Sequence, residues 1–271
     1  MIKFNSAASS KFLAMYTEIL EDEIVDESST VKHRTFAPSQ MRCDRVSWFR
    51  LRGTEPDKVK TPDIGLKFTA QIGTACHEAI QSRLSDKLGS DWLSVNDWIA
   101  MNPELFKDYD MDIEQKGFES MIDLRAPFPV RFACDGIIRF NDKVYLLEIK
   151  TAEFSSLNDL TRPKDRHMDQ IRTYSTLLHL NNVLVLYQDR QWGEMKCFEV
   201  TVSDSEQQAV RDNMSRIMHL AEVNIAPNGL PVGDSDCNPS MCPYADKCKE
   251  WGRSESEPEF DYTINLEEYY F

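Results

Sequence analysis

Two periods of hydrophobicity alternate along this chain, one near 3.6 residues and one near 2. Between residues 9 and 25, Phe12, Tyr16, Ile19 and Leu20 share one side of a helix. Ile72, Cys76, Ala79 and Ile80 form a second helical stripe over residues 71–88, and Gly89 stands where a C-terminal cap belongs. Trp92 and Trp98 read as packed helix, and Asp112 to Phe118 as a strand. Strand patterns run from Val130 to Phe140 and from Val144 to Thr151, joined by the turn Asn141-Asp142. Pro163 is placed to open a helix reaching about Leu180. Two more strands, Val183–Tyr187 and Met195–Val202, precede a capping box, Ser203-x-x-Glu206. Behind it Val210, Met214, Ile217, Met218 and Ala221 recur at helical spacing, the methionines as core filler. Helices interleaved with strands in this order predict an α/β sheet with flanking helices. There is no internal repeat and no low-complexity tract.

The 271 residues are 41% apolar and 28% charged, with 10 Gly and 12 Pro, which excludes a collagenous or wholly disordered chain. No stretch approaches the roughly 20 uncharged apolar residues of a membrane helix, and the N-terminus lacks the form of a secretory signal. Seven cysteines, an odd number, argue against a disulfide framework and for a reducing compartment, so a cytoplasmic protein is expected. The net charge of −14 is unfavourable for phosphate contacts, but it is unevenly spread. Residues 1–30 hold six acids against two bases, and residues 249–271 hold seven against two. The remaining 31–248 carry only −5, so a local site must decide the partner.

The chemistry concentrates in Cys134-Asp135-Gly136 and Leu147-Glu148-Ile149-Lys150-Thr151. On a strand Glu148 and Lys150 point the same way, about 6.6 Å apart along the chain. If the two strands pair as a hairpin, Asp135 lies beside Glu148, and two carboxylates and an ammonium converge. Such a set suits a hard divalent cation, Mg²⁺ or Mn²⁺, with the ammonium beside an attacking water. Taken alone, Glu-x-Lys is far more often a solvated surface pair. Upstream stands Gly73-x3-His77 on a helix; downstream Gln170-x3-Tyr174 puts two side chains on one helical face.

The order Gly-x3-His, Asp, Glu-x-Lys-Thr, Gln-x3-Tyr resembles the RecB-type branch of the PD-(D/E)XK nucleases, over about Ser39 to Cys248. The resemblance implies a restriction-endonuclease-like core, a mixed central sheet flanked by helices. It also implies roles: His77, Asp135, Glu148 and the Ile149 carbonyl hold the metal, Lys150 acts on the water, and Gln170 and Tyr174 support the site or the DNA strand.

A second constellation is Cys237-x4-Cys242-Pro243-Tyr244-x3-Cys248, with Cys43 far upstream. Zinc sites usually come as two close pairs, which this three-plus-one arrangement does not match. Four thiolates can also ligate an iron–sulfur cluster. The pattern resembles the iron–sulfur nucleases of the same branch, the AddB nuclease domain and the small CRISPR-adaptation exonucleases. That implies a [4Fe-4S] cluster on Cys43, Cys237, Cys242 and Cys248, joining the N- and C-terminal segments. Such a staple closes a long loop, worth on the order of 4–5 kcal/mol of chain entropy. Cys76, Cys134 and Cys197 fall within predicted helix or strands and read as buried small hydrophobes.

Arg42, Arg45, Arg50 and Arg52 around Cys43, and Lys164, Arg166 and Arg172 ahead of or within the Gln170 helix, are candidates for phosphate contacts. Trp192, Trp251, Tyr269 and Tyr270 are candidates for base stacking. There is no P-loop, so a helicase, recombinase or replication partner is expected as a separate chain. The expected organisation is an acidic helical extension (1–30), a nuclease domain with its staple (31–250) and an acidic tail (251–271). The expected function is metal-dependent DNA exonuclease action on single strands or flaps, in repair, recombination or phage replication. Two other readings remain open: a non-catalytic DNA-end-binding subunit, and a zinc-stabilised interaction module.

Overall fold

In the computed structural model the described residues are 10–19, 34–57, 64–231, 234, 237 and 242–250. Helix α1 spans residues 10–19 and exposes Phe12, Leu13, Met15, Tyr16 and Ile19. Leu20 and residues 21–25, the acidic tail, and Trp251, Tyr269 and Tyr270 lie outside the described residues. The helices that follow are α2 (Asp44–Leu51), α3 (Ile64–Leu88), α4 (Val95–Met101), α5 (Phe154–Asn158), α6 (Asp165–Leu178), α7 (Asp204–Glu222) and α8 (Ala245–Glu250). The strands are β1 (Trp92–Leu93), β2 (Asp110–Lys116), β3 (Glu119–Ala126), β4 (Val130–Cys134), β5 (Gly136–Phe140), β6 (Lys143–Ala152), β7 (Asn182–Asp189) and β8 (Met195–Thr201).

They form two sheets. The larger is mixed, ordered β1-β5-β6-β7-β8, with β6 and β7 parallel and α5–α6 crossing between them. The smaller is antiparallel, β2-β3-β4. Strand β6 is buried on both faces, as a central parallel neighbour should be. Leu147 and Ile149 meet Ile80 of α3 on one face. On the other, Leu146, Val183 and Val185 belong to a core shared with Ile171 and Leu178 of α6 and Met214 and Ile217 of α7. Two indoles tie helices to this core: Trp48 Nε1 donates to the Leu220 carbonyl at 3.1 Å, and Trp98 Nε1 to that of Leu178 at 2.8 Å.

The hairpin of β5 and β6 forms as the sequence predicts, with Asn141 and Asp142 both left-handed at φ 49 and 61°. The capping box of α7 is complete in both directions. Gly89, at φ +57°, follows α3 directly. Several expectations need correction. The strand read from Val130 to Phe140 is two strands in different sheets, divided at Asp135. A Cβ on Gly136 would stand 2.8 Å from the Trp92 ring, so only glycine lets the chain pass under that indole as it changes sheets. Trp92 is itself on strand β1, opposite Ile138, and not on a helix. Strand β3 has no counterpart in the sequence reading. Pro163 lies one residue before the Lys164 N-cap, and α6 ends at Leu178 with His179 left-handed. Cys197 is exposed on the outer strand β8, so it is no buried hydrophobe; Cys76 is half-buried and Cys134 is buried.

Candidate active site

The break between β4 and β5 is what makes the site. Register pairs Gly136 with Leu147, so Asp135 sits at the corner beside Glu148. One Asp135 oxygen accepts the Ile149 N–H at 2.7 Å, and the Asp135 carbonyl accepts Gln81 Nε2 at 2.8 Å. Gln81, His77 and Gly73 are spaced by four on α3 and so lie along one face of it. Gly73 brings that face against β6: a Cβ there would meet Thr151 Oγ1 at 3.4 Å. His77 Nδ1 consequently stands 3.5 Å from Asp135 Oδ1 and 3.8 Å from Glu119 Oε1.

Glu119 is the residue that sequence reasoning missed. It begins β3, whose register with β4 pairs Ser120 with Cys134 and so carries Glu119 toward Asp135. The alternation of buried Ser120, Ile122 and Leu124 was the available signal. His77, Glu119 and Asp135 present three ligand atoms within 4.8 Å of one another, a spacing at which three donors can reach one cation.

Glu148 is turned differently. Its side chain pairs with Lys150, while Oε2 is buried without a hydrogen-bond partner among the described residues. Lys150 Nζ also donates to Gln170 Oε1 at 3.0 Å, and Gln170 Nε2 donates to the Tyr174 hydroxyl at 2.8 Å. Tyr174 stacks on Phe132 with ring centroids 5.0 Å apart. His77, Glu119, Asp135, Glu148, Lys150, Gln170 and Tyr174 line one cavity of about 340 Å³. Ile149 is fully buried and joins the site through its N–H to Asp135.

The electrostatics share one direction. Burial raises the Glu148 carboxyl to about 7, with Asp135 adding to the rise and Lys150 opposing it. Burial works against the charge on His77, but its hydrogen bonds to Asp135 and Glu119 prevail and lift it to about 9. Burial likewise opposes the Lys150 ammonium, and the Glu148 and Asp135 charges overcome it. The carboxylates thus hold protons on His77 and Lys150. Oxygen donors, one imidazole and a buried carboxylate oxygen without a partner fit a hard divalent cation.

The four cysteines lie in one region, although among the described residues their sulfurs do not form a set within 4.8 Å of one another as the His77 group does. Burial pushes the Cys242 thiol up, and nearby Cys43, Cys248 and Cys237 push it further. Arg45 Nη1 lies 3.7 Å from Cys248 Sγ. Around them the N- and C-terminal segments dock: Asp57 N–H donates to the Pro243 carbonyl and Asp246 N–H to the Asp57 carboxylate, each at 2.7 Å. Tyr244 stacks on Phe49.

The arginines near Cys43 are not arranged for phosphates. Arg45 is buried, with Nε donating to the Pro227 carbonyl at 2.7 Å. Arg42 pairs with Asp234, Arg50 donates to the Thr35 carbonyl, and Arg52 donates to that of Ala221. Arg172 binds Asp169 and Glu206. Among the described residues no helix is long and apolar enough to cross a membrane.

No family model matches the chain. It is 34% identical over 63 residues to the exonuclease/helicase subunit RexA of Lactococcus lactis subsp. cremoris (strain MG1363). That stretch is 22% of this chain and spans only 5% of the relative. Among solved structures, that of SSO0001 aligns with a TM-score of 0.49 and 18% identity, covering 86% of this chain and 96% of the other. The alkaline exonuclease LHK-Exo of Laribacter hongkongensis aligns with a TM-score of 0.43 and 14% identity, over 73% and 93%.

Proposed function

We propose that this chain is a Mg²⁺- or Mn²⁺-dependent DNA exonuclease that hydrolyses phosphodiester bonds in single strands or flaps. One observation carries the reading. Asp135, Glu148, Lys150, His77, Gln170 and Tyr174, brought from two helices, a strand and the β4–β5 corner, line a single cavity. A surface Glu–Lys pair would be solvated, whereas this Glu148 is 1% exposed. The residues that would hold the cation are His77, Asp135 and Glu148, with the Ile149 carbonyl, and Glu119 joins them. Bound there, the ion would polarise a phosphoryl oxygen and lower the pKa of a water.

The chain's own groups do the rest. The Glu148 and Asp135 charges keep Lys150 an ammonium, so it orients the attacking water and steadies charge on the phosphate. Gln170 fixes the direction of Lys150 Nζ and is itself fixed by Tyr174. Gln81 and the Ile149 N–H hold the Asp135 corner in place.

The reading includes a [4Fe-4S] cluster on Cys43, Cys237, Cys242 and Cys248, whose thiols lie near enough to influence one another at the seam of the two terminal segments. The short similarity to a subunit named as both helicase and exonuclease supports work beside a helicase. Recombination and replication partners follow from the same reading. End-labelled single-stranded, flapped and duplex DNA incubated with Mg²⁺, Mn²⁺ or EDTA tests the function. Shortening of single strands only with a divalent ion is expected; intact substrate in all conditions would overturn it.

A further inference from the structure

Beyond the pocket, cations gather with little to balance them at one end of the larger sheet among the described residues. Lys150 pairs in register with Tyr187 on β7. The Tyr187 hydroxyl takes the Lys164 N–H at 3.2 Å and meets His167 Nδ1 at 2.7 Å. Arg166 Nε donates to His167 Nε2 at 3.3 Å, so its guanidinium lies against the same ring. On the other side, the Arg190 N–H donates to the Ala152 carbonyl at 3.1 Å, two residues along β6 from Lys150. Lys164, Arg166 and Arg190 therefore flank Lys150 at the carboxyl ends of the two parallel strands, where α/β sheets commonly receive ligands. Burial makes the Lys164 ammonium easier to deprotonate, and the Arg166 and Arg190 charges add to that. The acid facing them is Glu153, 3.7 Å from Arg190 and exposed; Arg162 nearby is neutralised by Asp165. In a chain of net charge −14 this local excess is unusual.

Trp192 follows directly. At 76% exposure it is the most exposed large apolar side chain among the described residues. It does not sit on a loose loop. Its N–H is bound by the buried Asp189 carboxylate, and Asp189 N–H donates to the Glu194 carbonyl at 2.8 Å. Gly193 takes the positive φ, +74°, that closes the turn. A tight turn thus holds an indole out in water, two residues along the chain from Arg190.

We infer that Lys164, Arg166, Arg190 and Trp192 form a landing surface for single-stranded DNA, holding phosphates next to the one in the cavity and stacking a base on the indole. Cations alone would suit any polyanion, but an exposed ring needs an unstacked base, which selects a single strand over a duplex. The inference rests on the nuclease reading of the adjoining cavity and names how its substrate is held.

The test is binding of a fluorescein-labelled oligothymidylate in EDTA, read by anisotropy across a salt series. Arg166→Glu with Arg190→Glu should weaken binding at least tenfold and flatten the salt dependence by about one unit per lost phosphate contact. Trp192→Ala should weaken single-strand binding about tenfold with little change for duplex, and Trp192→Phe should restore it. Arg166 and Trp192 are exposed and Arg190 is partly buried, so Arg166→Glu and Trp192→Ala alone should melt near wild type, and the double variant is compared at a temperature where it is folded. Wild-type affinity and salt slope in the charge-reversed and Trp192→Ala proteins would overturn the surface while leaving the cavity reading intact. Wild-type protein that binds no single strand would remove the surface and the DNA reading of the cavity together.

Discussion

The carboxylate of Asp135 accepts the Ile149 N–H at 2.7 Å, joining the β4–β5 corner to the middle of β6. That bond makes Asp135 both a structural acceptor and a member of the His77–Glu119 cluster. Asp135→Asn keeps an oxygen for Ile149, whereas Asp135→Ala leaves a buried N–H unpaired. The Asn variant should melt near wild type and bind Mn²⁺ far more weakly. The Ala variant should lose about 1–3 kcal/mol of stability as well. Melting curves alongside Mn²⁺ calorimetry separate the two effects; equal Mn²⁺ affinity in Asp135→Asn and wild type would remove Asp135 from the cation site.

Gly136→Ala tests the corner through its neighbour. The added Cβ would press on the Trp92 ring at 2.8 Å. A loss of about 1–3 kcal/mol is expected, with displaced Asp135 and weakened Mn²⁺ binding. Trp92→Leu in the same protein should recover part of both, as judged by thermal melts; no recovery would mean the clash is not what excludes alanine.

Lys150→Ala leaves Glu148 buried without its ammonium. The Glu148 carboxyl already lies at about 7, above its ordinary 4.5, and should rise further. A carboxyl raised on folding contributes stability below its unfolded pKa, and that contribution is lost as pH climbs through the folded value. The gap in melting temperature between wild type and Lys150→Ala should therefore be small at pH 6 and wider at pH 8. A gap independent of pH would contradict burial of the pair.

His167 behaves oppositely to a typical paired histidine. Burial, then Lys150, Arg166 and Lys164, lower it to about 3. The folded protein keeps it neutral while the unfolded chain protonates it near 6.5, so stability falls as pH drops from 6.5 toward 3. The slope approaches one proton, about 1.4 kcal/mol per pH unit. His167→Gln should flatten the stability profile between pH 6.5 and 4.5; an unchanged slope would show that His167 is free to protonate.

Much of this is legible in the sequence. Period-2 spacing put Glu148 and Lys150 on one face, and Asn141-Asp142 marked the hairpin that brings Asp135 to them. The division at Asp135 was not legible, because the strand pattern continues unbroken from Cys134 to Ile138. What marks it is the Trp92 indole packed on Gly136, 44 residues upstream of that glycine and met only when β1 pairs with β5. Glu119 was hidden for a related reason, since its nearness to His77 depends on strand register across the smaller sheet. Arg45 looked like a phosphate contact because composition records charge and not burial.

The cluster makes a separate prediction. Anaerobically purified protein should be brown and contain iron and acid-labile sulfide, and Cys43→Ala should lose the colour and melt lower. Stoichiometric zinc without iron would contradict the cluster and favour a zinc-stabilised module.

Cleavage of an end-labelled single strand by wild type and Lys150→Ala, compared at pH 6.5 with Mn²⁺ where both are folded, tests the nuclease site most directly. Expected is progressive shortening by wild type and a rate lower by a factor of about 10²–10³ in the variant. A folded Lys150→Ala protein that digests the strand at the wild-type rate would contradict it.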